Sequence, residues 1–248
     1  MSVANLLKSE IPTYTTTLPI TKKEIKYRPY VVREEKVLLV ALQEGTESAI
    51  FNGIKTLVES CVEGLEDAGE LPMSDLEYIF LHLRSKSVGE KFNPTTKCLH
   101  TDKNVSLNIS MEDIKLSDEV PDSKITIEKD IGITMKMPSV NILNKTNMKS
   151  VGDIDSNVEE FFELLAYCIE EIWNGDEIFI TKDLPHKEVV EFIESMTVEQ
   201  FDKVLEFFKS IPKLQCKTSY KIPYDKEREE GQPEEEEIVL EGFYDFFG

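Results

Sequence analysis

Residues Met73–Glu90 read M-S-D-L-E-Y-I-F-L-H-L-R-S-K-S-V-G-E, and no other stretch constrains the chain as much. Ser74 and Asp75 carry short polar side chains that can accept the free N–H groups of a helix start. Leu76, Ile79, Phe80 and Leu83 follow at the three- and four-residue spacing that makes one apolar face. Gly89 ends the segment, and Asn93-Pro94 stops further helix. This punctuation predicts an amphipathic helix over 75–84 with a polar S-K-S-V-G tail. The helix joins a helical region before it to a strand-rich region after it.

Before it, residues 1–33 are β-branched, aromatic and interrupted by Pro12, Pro19 and Pro29, which predicts an extended arm or edge hairpin. From Glu34 the pattern turns helical. Val37, Leu38, Val40, Ala41 and Leu42 form an apolar stretch broken near Gly45. Ile50, Phe51, Ile54, Leu57, Val58, Cys61 and Leu65 then share one face of a second helix. Three short helices with short connections suggest a small bundle. Over 95–138 the period changes to two: Val105, Leu107 and Ile109, then Ile125 and Ile127, then Ile131, Ile133, Met135 and Met137. Residues 34–138 are thus expected to hold helices plus a small antiparallel sheet, with 139–156 as a linker.

Residues 157–248 are expected to form an acidic helical domain. A long helix over Val158–Trp173 is predicted to stop at Asn174-Gly175, followed by helices near His186–Met196 and Val198–Ser210. The last of these opens with the capping-box pattern T-V-E-Q. A β-hairpin follows, with strands at Leu214–Ile222 and Ile238–Leu240 around an acidic loop, and the chain ends in an aromatic tail. The fold class expected is α+β.

Charge narrows the function. The net charge is −20, with −3 in residues 1–150 and −17 in residues 151–248. An acidic surface repels phosphate backbones, so nucleic acid is not an expected partner; the charge permits a basic protein partner, while its simpler reading is solubility. No apolar run reaches the length needed to cross a bilayer, and the N-terminal M-S-V-A-N-L-L-K-S-E lacks the basic start and apolar block of a secretory signal. Neither a membrane nor secretion is expected. Cys61, Cys98, Cys168 and Cys216 lie far apart, which suits a reducing cytoplasm rather than a disulfide framework.

No motif names a reaction. Cys98-Leu99-His100 and Cys216 are the tempting metal ligands, but a structural zinc site wants four N/S ligands delivered in close pairs, and neither segment supplies a pair of cysteines. R-S-K-S-V-G-E lacks the order of a phosphate loop. Arg84 and Lys86 suit the negative end of a helix. His82, His100 and His186 belong to no nucleophile or zinc-protease signature. These residues give catalysis little support, and no cofactor and no metal are expected; a metal-dependent hydrolase is the rival of another class. Phe243, Tyr244, Phe246 and Phe247 form the clearest binding candidate, because such a cluster must pack on its own helices or on a partner.

Three stretches carry a family resemblance: Leu18-Pro19-Ile20 with Y-R-P-Y-V-V-R-E-E-K-V-L-L-V-A, then D-L-E-Y-I-F-L-H-L-R-S-K-S-V-G-E, then F-F-K-S-I-P-K-L with I-V-L-E-G-F-Y-D-F-F. In order, they resemble the baseplate hub assembly proteins of T4-like contractile-tailed phages, most specifically at Arg28–Lys36 and Asp75–Gly89. The resemblance implies a non-enzymatic protein of tail morphogenesis in the host cytoplasm that helps assemble the hub, and the acidic C-terminal half suits a chaperone that shields a basic tail protein such as the tape measure. A permanent subunit of the virion tail baseplate is the alternative. Arg28, Pro29, Glu35, Lys36, Arg84, Ser85, Lys86, Ser87 and Gly89 match its motifs, as partner contacts or as framework.

Overall fold

β-branched residues keep the chain extended at Thr13–Thr17, and Tyr14–Thr17 (β1) pairs there with Glu24–Tyr27 (β2) as an antiparallel hairpin; residues 1–10 of the expected arm lie outside the described residues. The computed structural model describes residues 11–146, 157–224 and 231–247. Three helices follow the hairpin: Val32–Glu44 (α1), Glu47–Cys61 (α2) and Met73–Ser87 (α3). Gly45, at φ 75°, ends α1 in the left-handed region that glycine tolerates. Thr46 then caps α2 by accepting the Ala49 N–H at 3.2 Å. Ile50, Ile54, Leu57, Val58 and Cys61 of α2 close one core with Leu76, Ile79, Phe80 and Leu83 of α3, beneath Leu18 and Tyr27 of the hairpin.

Short strands come next: Lys91–Phe92 (β3), Thr95–Lys97 (β4), Asn104–Ser106 (β5), Ile109–Ser110 (β6), Lys115–Leu116 (β7), Lys124–Glu128 (β8) and Ile131–Met135 (β9). After them come Val140–Thr146 (α4), Val158–Cys168 (α5), Ile169–Asn174 (β10), Glu177–Ile180 (β11), His186–Glu194 (α6), Val198–Lys209 (α7), Leu214–Lys221 (β12), Glu235–Glu241 (β13) and Gly242–Phe247 (α8). The protein is α+β, with antiparallel sheets, as the periodicities imply.

The strands of 91–135 do not form one sheet of their own. β3 pairs with β6 and β4 with β5, while β7 joins β12 and β13, and β8 and β9 join β10 and β11 in the order β11-β10-β9-β8. Sheet pairing therefore runs from the middle of the chain into its acidic half. A second core lies under the four-stranded sheet, where Ile133 and Met135 meet Leu164, Leu165 and Cys168 of α5, Val189 and Ile193 of α6, and Val204 and Phe208 of α7. A third gathers Leu81, Phe92, Cys98, Leu107, Ile109, Cys216, Leu240 and Phe246.

Three local expectations change. The helix predicted to reach Trp173 stops at Cys168, because Ile169–Asn174 pairs with β9 as well as β11. Asn174-Gly175, expected as a helix stop, begins a hairpin turn with Gly175 at φ 61°. Gly132 faces Trp173 across this sheet, and a Cβ on it would lie 2.0 Å from the indole. Glycine is thus required there for space. Residues 140–146 are helical rather than linker, with Val140, Ile142 and Leu143 buried; the remainder, 147–156, lies outside the described residues. Most of the acidic loop, 225–230, does so too.

The third change concerns α3. Ser74 and Asp75 do not cap their own helix, which starts after Pro72 with no side-chain cap. The Asp75 carboxylate, fully buried, accepts from Ile20 N–H (2.7 Å), Thr21 N–H (2.9 Å) and the Thr21 hydroxyl (2.7 Å), closing the β1–β2 turn. Ser74 Oγ donates to Pro212 O at 2.7 Å, just before β12. Tertiary partners have taken the groups that local rules assign to the cap.

Candidate interaction surface

Helix α1 is apolar on two opposite sides. Leu38 and Ala41 face the core, and Glu34 is buried beside them. Val32, Leu39, Val40 and Leu42 point away from it and are 78, 58, 56 and 41 % exposed. A helix hydrophobic all round is ordinarily enclosed. Full burial of a side chain of this kind is worth about 1.5–3 kcal/mol, so the outer face of α1 is a large reserve of association energy. The signal was present in the sequence: V-L-L-V-A-L is apolar all round the middle of the helix, between R-E-E-K before it and Q-E after it.

The helix is held rigidly at its N-terminus. Glu34 accepts from Val31 N–H (2.8 Å), Arg28 (3.1 Å) and Arg33 (2.9 Å). Burial opposes its ionisation, but these donors win and hold its carboxyl down to about 2. Arg28 also donates to Ser60 O and Pro29 O, tying β2, α1 and the end of α2 together. Arg28 and Pro29 thus sit at the root of the exposed face, and Glu34 is the member of this group that spacing did not single out.

The other motif residues lie at the far end of α3. Arg84 lies over the Phe92 ring at 4.5 Å, where burial lowers its pKa. Lys86 pairs with Glu90 at 2.6 Å and lies 5.5 Å from the Tyr14 ring centre. Ser85 donates to His82 O at 2.9 Å, and Ser87 accepts Tyr30 N–H at 2.9 Å. Gly89, at φ 147°, turns the chain out of the helix. Glu35 and Lys36 lie on α1. Of the aromatic tail, Phe246 is buried in the third core, 3 % exposed, while the side chains of Phe243, Tyr244 and Phe247 lie outside the described residues.

A further run of exposed apolar residues lies on β11. Ile178, Phe179 and Ile180 are 62, 44 and 44 % exposed on the edge strand of the four-stranded sheet. An edge strand with both faces apolar and one backbone side open is a template for strand addition.

Of the candidate metal ligands, the two cysteines are core residues and His100 is exposed. Cys98 and Cys216 are each 1 % exposed. Burial works against the Cys98 thiolate, but the polar groups of Thr101, His100 and Tyr220 around it lower the thiol's pKa. Burial raises Cys216, and it pushes Cys61 up to about 11 and Cys168 up to about 12, as for inert thiols. His100 Nε2 lies 3.8 Å from Glu236, whose carboxylate also accepts from the Tyr220 hydroxyl. Among the described residues, no group of three or more His, Cys, Asp and Glu is placed to hold a metal ion. Nor is any helix there long and apolar enough to cross a membrane.

The sequence model of the family described as T4 bacteriophage base plate protein matches residues 11–248. The chain belongs to that family. No curated protein and no solved structure matches it. Membership of this family supports a base plate-related role in a phage tail and interaction with other base plate proteins. The match spans all three cores, α1 and β11.

Proposed function

We propose that this protein acts without catalysis in assembly of the base plate hub, docking on other tail proteins through the outer face of α1. The observation that carries this reading is the exposed apolar set Val32, Leu39, Val40 and Leu42 on a helix anchored at its root by Glu34 and Arg28. The start of the same helix overlaps Arg28–Lys36, a stretch that most resembles hub assembly proteins, so Arg28 and Pro29 act as the frame of the contact. Arg84, Lys86 and Gly89 form the frame at the other end of the bundle, and Phe243, Tyr244 and Phe247 are further contact candidates. A hub protein or the tape measure is the expected client, held in the host cytoplasm during assembly.

The test mixes purified wild-type protein with purified hub and tape-measure proteins and measures co-purification and client solubility. Leu39→Ser with Val40→Ser should abolish capture while leaving the far-UV circular dichroism unchanged. Capture by this variant at wild-type level would refute the α1 reading. The family description favours a second reading, a permanent base plate subunit. Mass spectrometry of purified particles separates the two: an assembly factor is absent from them, and a subunit is present in fixed stoichiometry.

A further inference from the structure

A cavity of about 620 Å³ opens to solvent between α5, α6 and α7. Its floor is apolar: the rings of Phe162 and Phe201 stack with centroids 5.3 Å apart beside Ile193 and Met196. Val158 and Val198, the first residues of α5 and α7, stand at the opening and are 64 and 78 % exposed. Glu159, Glu163 and Glu194 also line it. Glu163 is engaged by His186. Among the described residues, neither Glu159 nor Glu194 has an ion-pair partner.

An apolar floor edged by carboxylates has a defined complement. Apolar side chains at helical spacing fill such a groove, and cations flanking that stripe meet the edge. Met196 adds a flexible side chain that adapts to different occupants. The surrounding half of the chain, at net −17, attracts a cationic segment over a longer range. A second copy is the wrong occupant, because it would bring a net −20 molecule against the same carboxylates. We propose that this groove docks a basic amphipathic helix of a partner protein. The proposal rests on the reading that the protein works by binding other proteins, but it uses a surface separate from α1.

The test uses the full chain and fluorescence anisotropy with a labelled Leu/Lys peptide carrying leucines at helical spacing. Two control peptides keep the composition with scrambled order, or replace Lys by Glu. The patterned Leu/Lys peptide should bind at least about tenfold more tightly than either control. Val158→Ser with Val198→Ser, at two exposed positions, should weaken it about tenfold by removing apolar contact without changing charge, with unchanged circular dichroism. Equal binding of the scrambled peptide would reduce the effect to bulk charge and overturn the proposal, as would unchanged binding to the double variant. A dimer in sedimentation equilibrium that the same double variant dissolves would assign the groove to a second copy and overturn it. So would an about tenfold gain in affinity on replacing Met148, Val151 and Ile154 by Ser, which would assign the groove to the chain's own preceding segment. Leu39→Ser with Val40→Ser should leave peptide affinity unchanged, so failure of the α1 reading leaves this measurement standing.

Discussion

Helices α1 and α3 are both apolar on more than one side, and the chain treats them differently. α3 is enclosed: Leu76, Ile79, Phe80 and Leu83 enter the first core, Leu81 the third, and Met73 packs against the second. Its polar groups are also used, with Asp75 on the β1–β2 turn, Ser74 on Pro212 and Ser87 on Tyr30. α1 is enclosed on one side only, and its outer side keeps Leu39 and Val40 more than half exposed. Apolar residues all round a helix therefore signal enclosure, but not by which molecule. For α3 the chain itself encloses the helix. For α1 a second protein is the reading proposed above.

That contrast breaks first at Leu83, which is fully buried in α3. Leu83→Asp places an unpaired carboxylate in the first core, and a loss exceeding about 4 kcal/mol is expected, enough to abolish the cooperative transition in urea. Asp75→Ala leaves two backbone N–H groups and a hydroxyl without their acceptor, at about 3–4 kcal/mol by the same measurement. A loss below about 1 kcal/mol would show that α3 does not clamp the hairpin.

At the root of α1, Glu34→Gln should cost about 2–3 kcal/mol at pH 7. The folded carboxyl titrates near 2 against an ordinary 4.5, so its contribution is complete above about pH 4.5 and is lost as pH falls towards 2. His82 on α3 acts in a higher window. Burial, with Lys86 adding to it, lowers its imidazole from 6.5 to about 4. The unfolded chain therefore takes up that proton first, and stability falls by about 2–3 kcal/mol between pH 6.5 and 4. Denaturation across pH should show both slopes; His82→Gln should remove the upper one and Glu34→Gln the lower.

The smaller effects sharpen the comparison. Leu39→Ser with Val40→Ser on the outer face of α1 should change the unfolding free energy by within about 0.5 kcal/mol per site, against several at Leu83. A loss of core size at Leu39 would mean that the chain itself covers this face. Lys86→Ala removes a partly exposed pair with Glu90 at the end of α3, and the urea midpoint should hardly move, by less than about 0.5 kcal/mol.

Much of this protein is written in its local patterns. The 3.6-residue spacing in Ile50–Cys61 and Leu76–Leu83 and the two-residue alternation in Ile125–Met135 decide helix or strand, because each element must turn its apolar side to a core. The T-V-E-Q start of α7 behaves as its chemistry dictates: Thr197 accepts from Gln200 N–H, and Gln200 accepts from Thr197 N–H. Tertiary structure decided what those patterns leave open. Ile169–Trp173 continues a helical apolar face on paper, yet pairing with β9, with Gly132 making room for Trp173, turns it into a strand. Ser74 and Asp75 are cap residues by type, but the partners that claim them lie 54 to 138 positions away. The exposed face of α1 belongs to the same class. The sequence states that the face is apolar, and only the packing of hairpin, α2 and α3 determines which side of the helix is left exposed. Periodicity carries the direction of a side chain relative to its own element, whereas pairing and burial depend on contacts that local spacing does not encode.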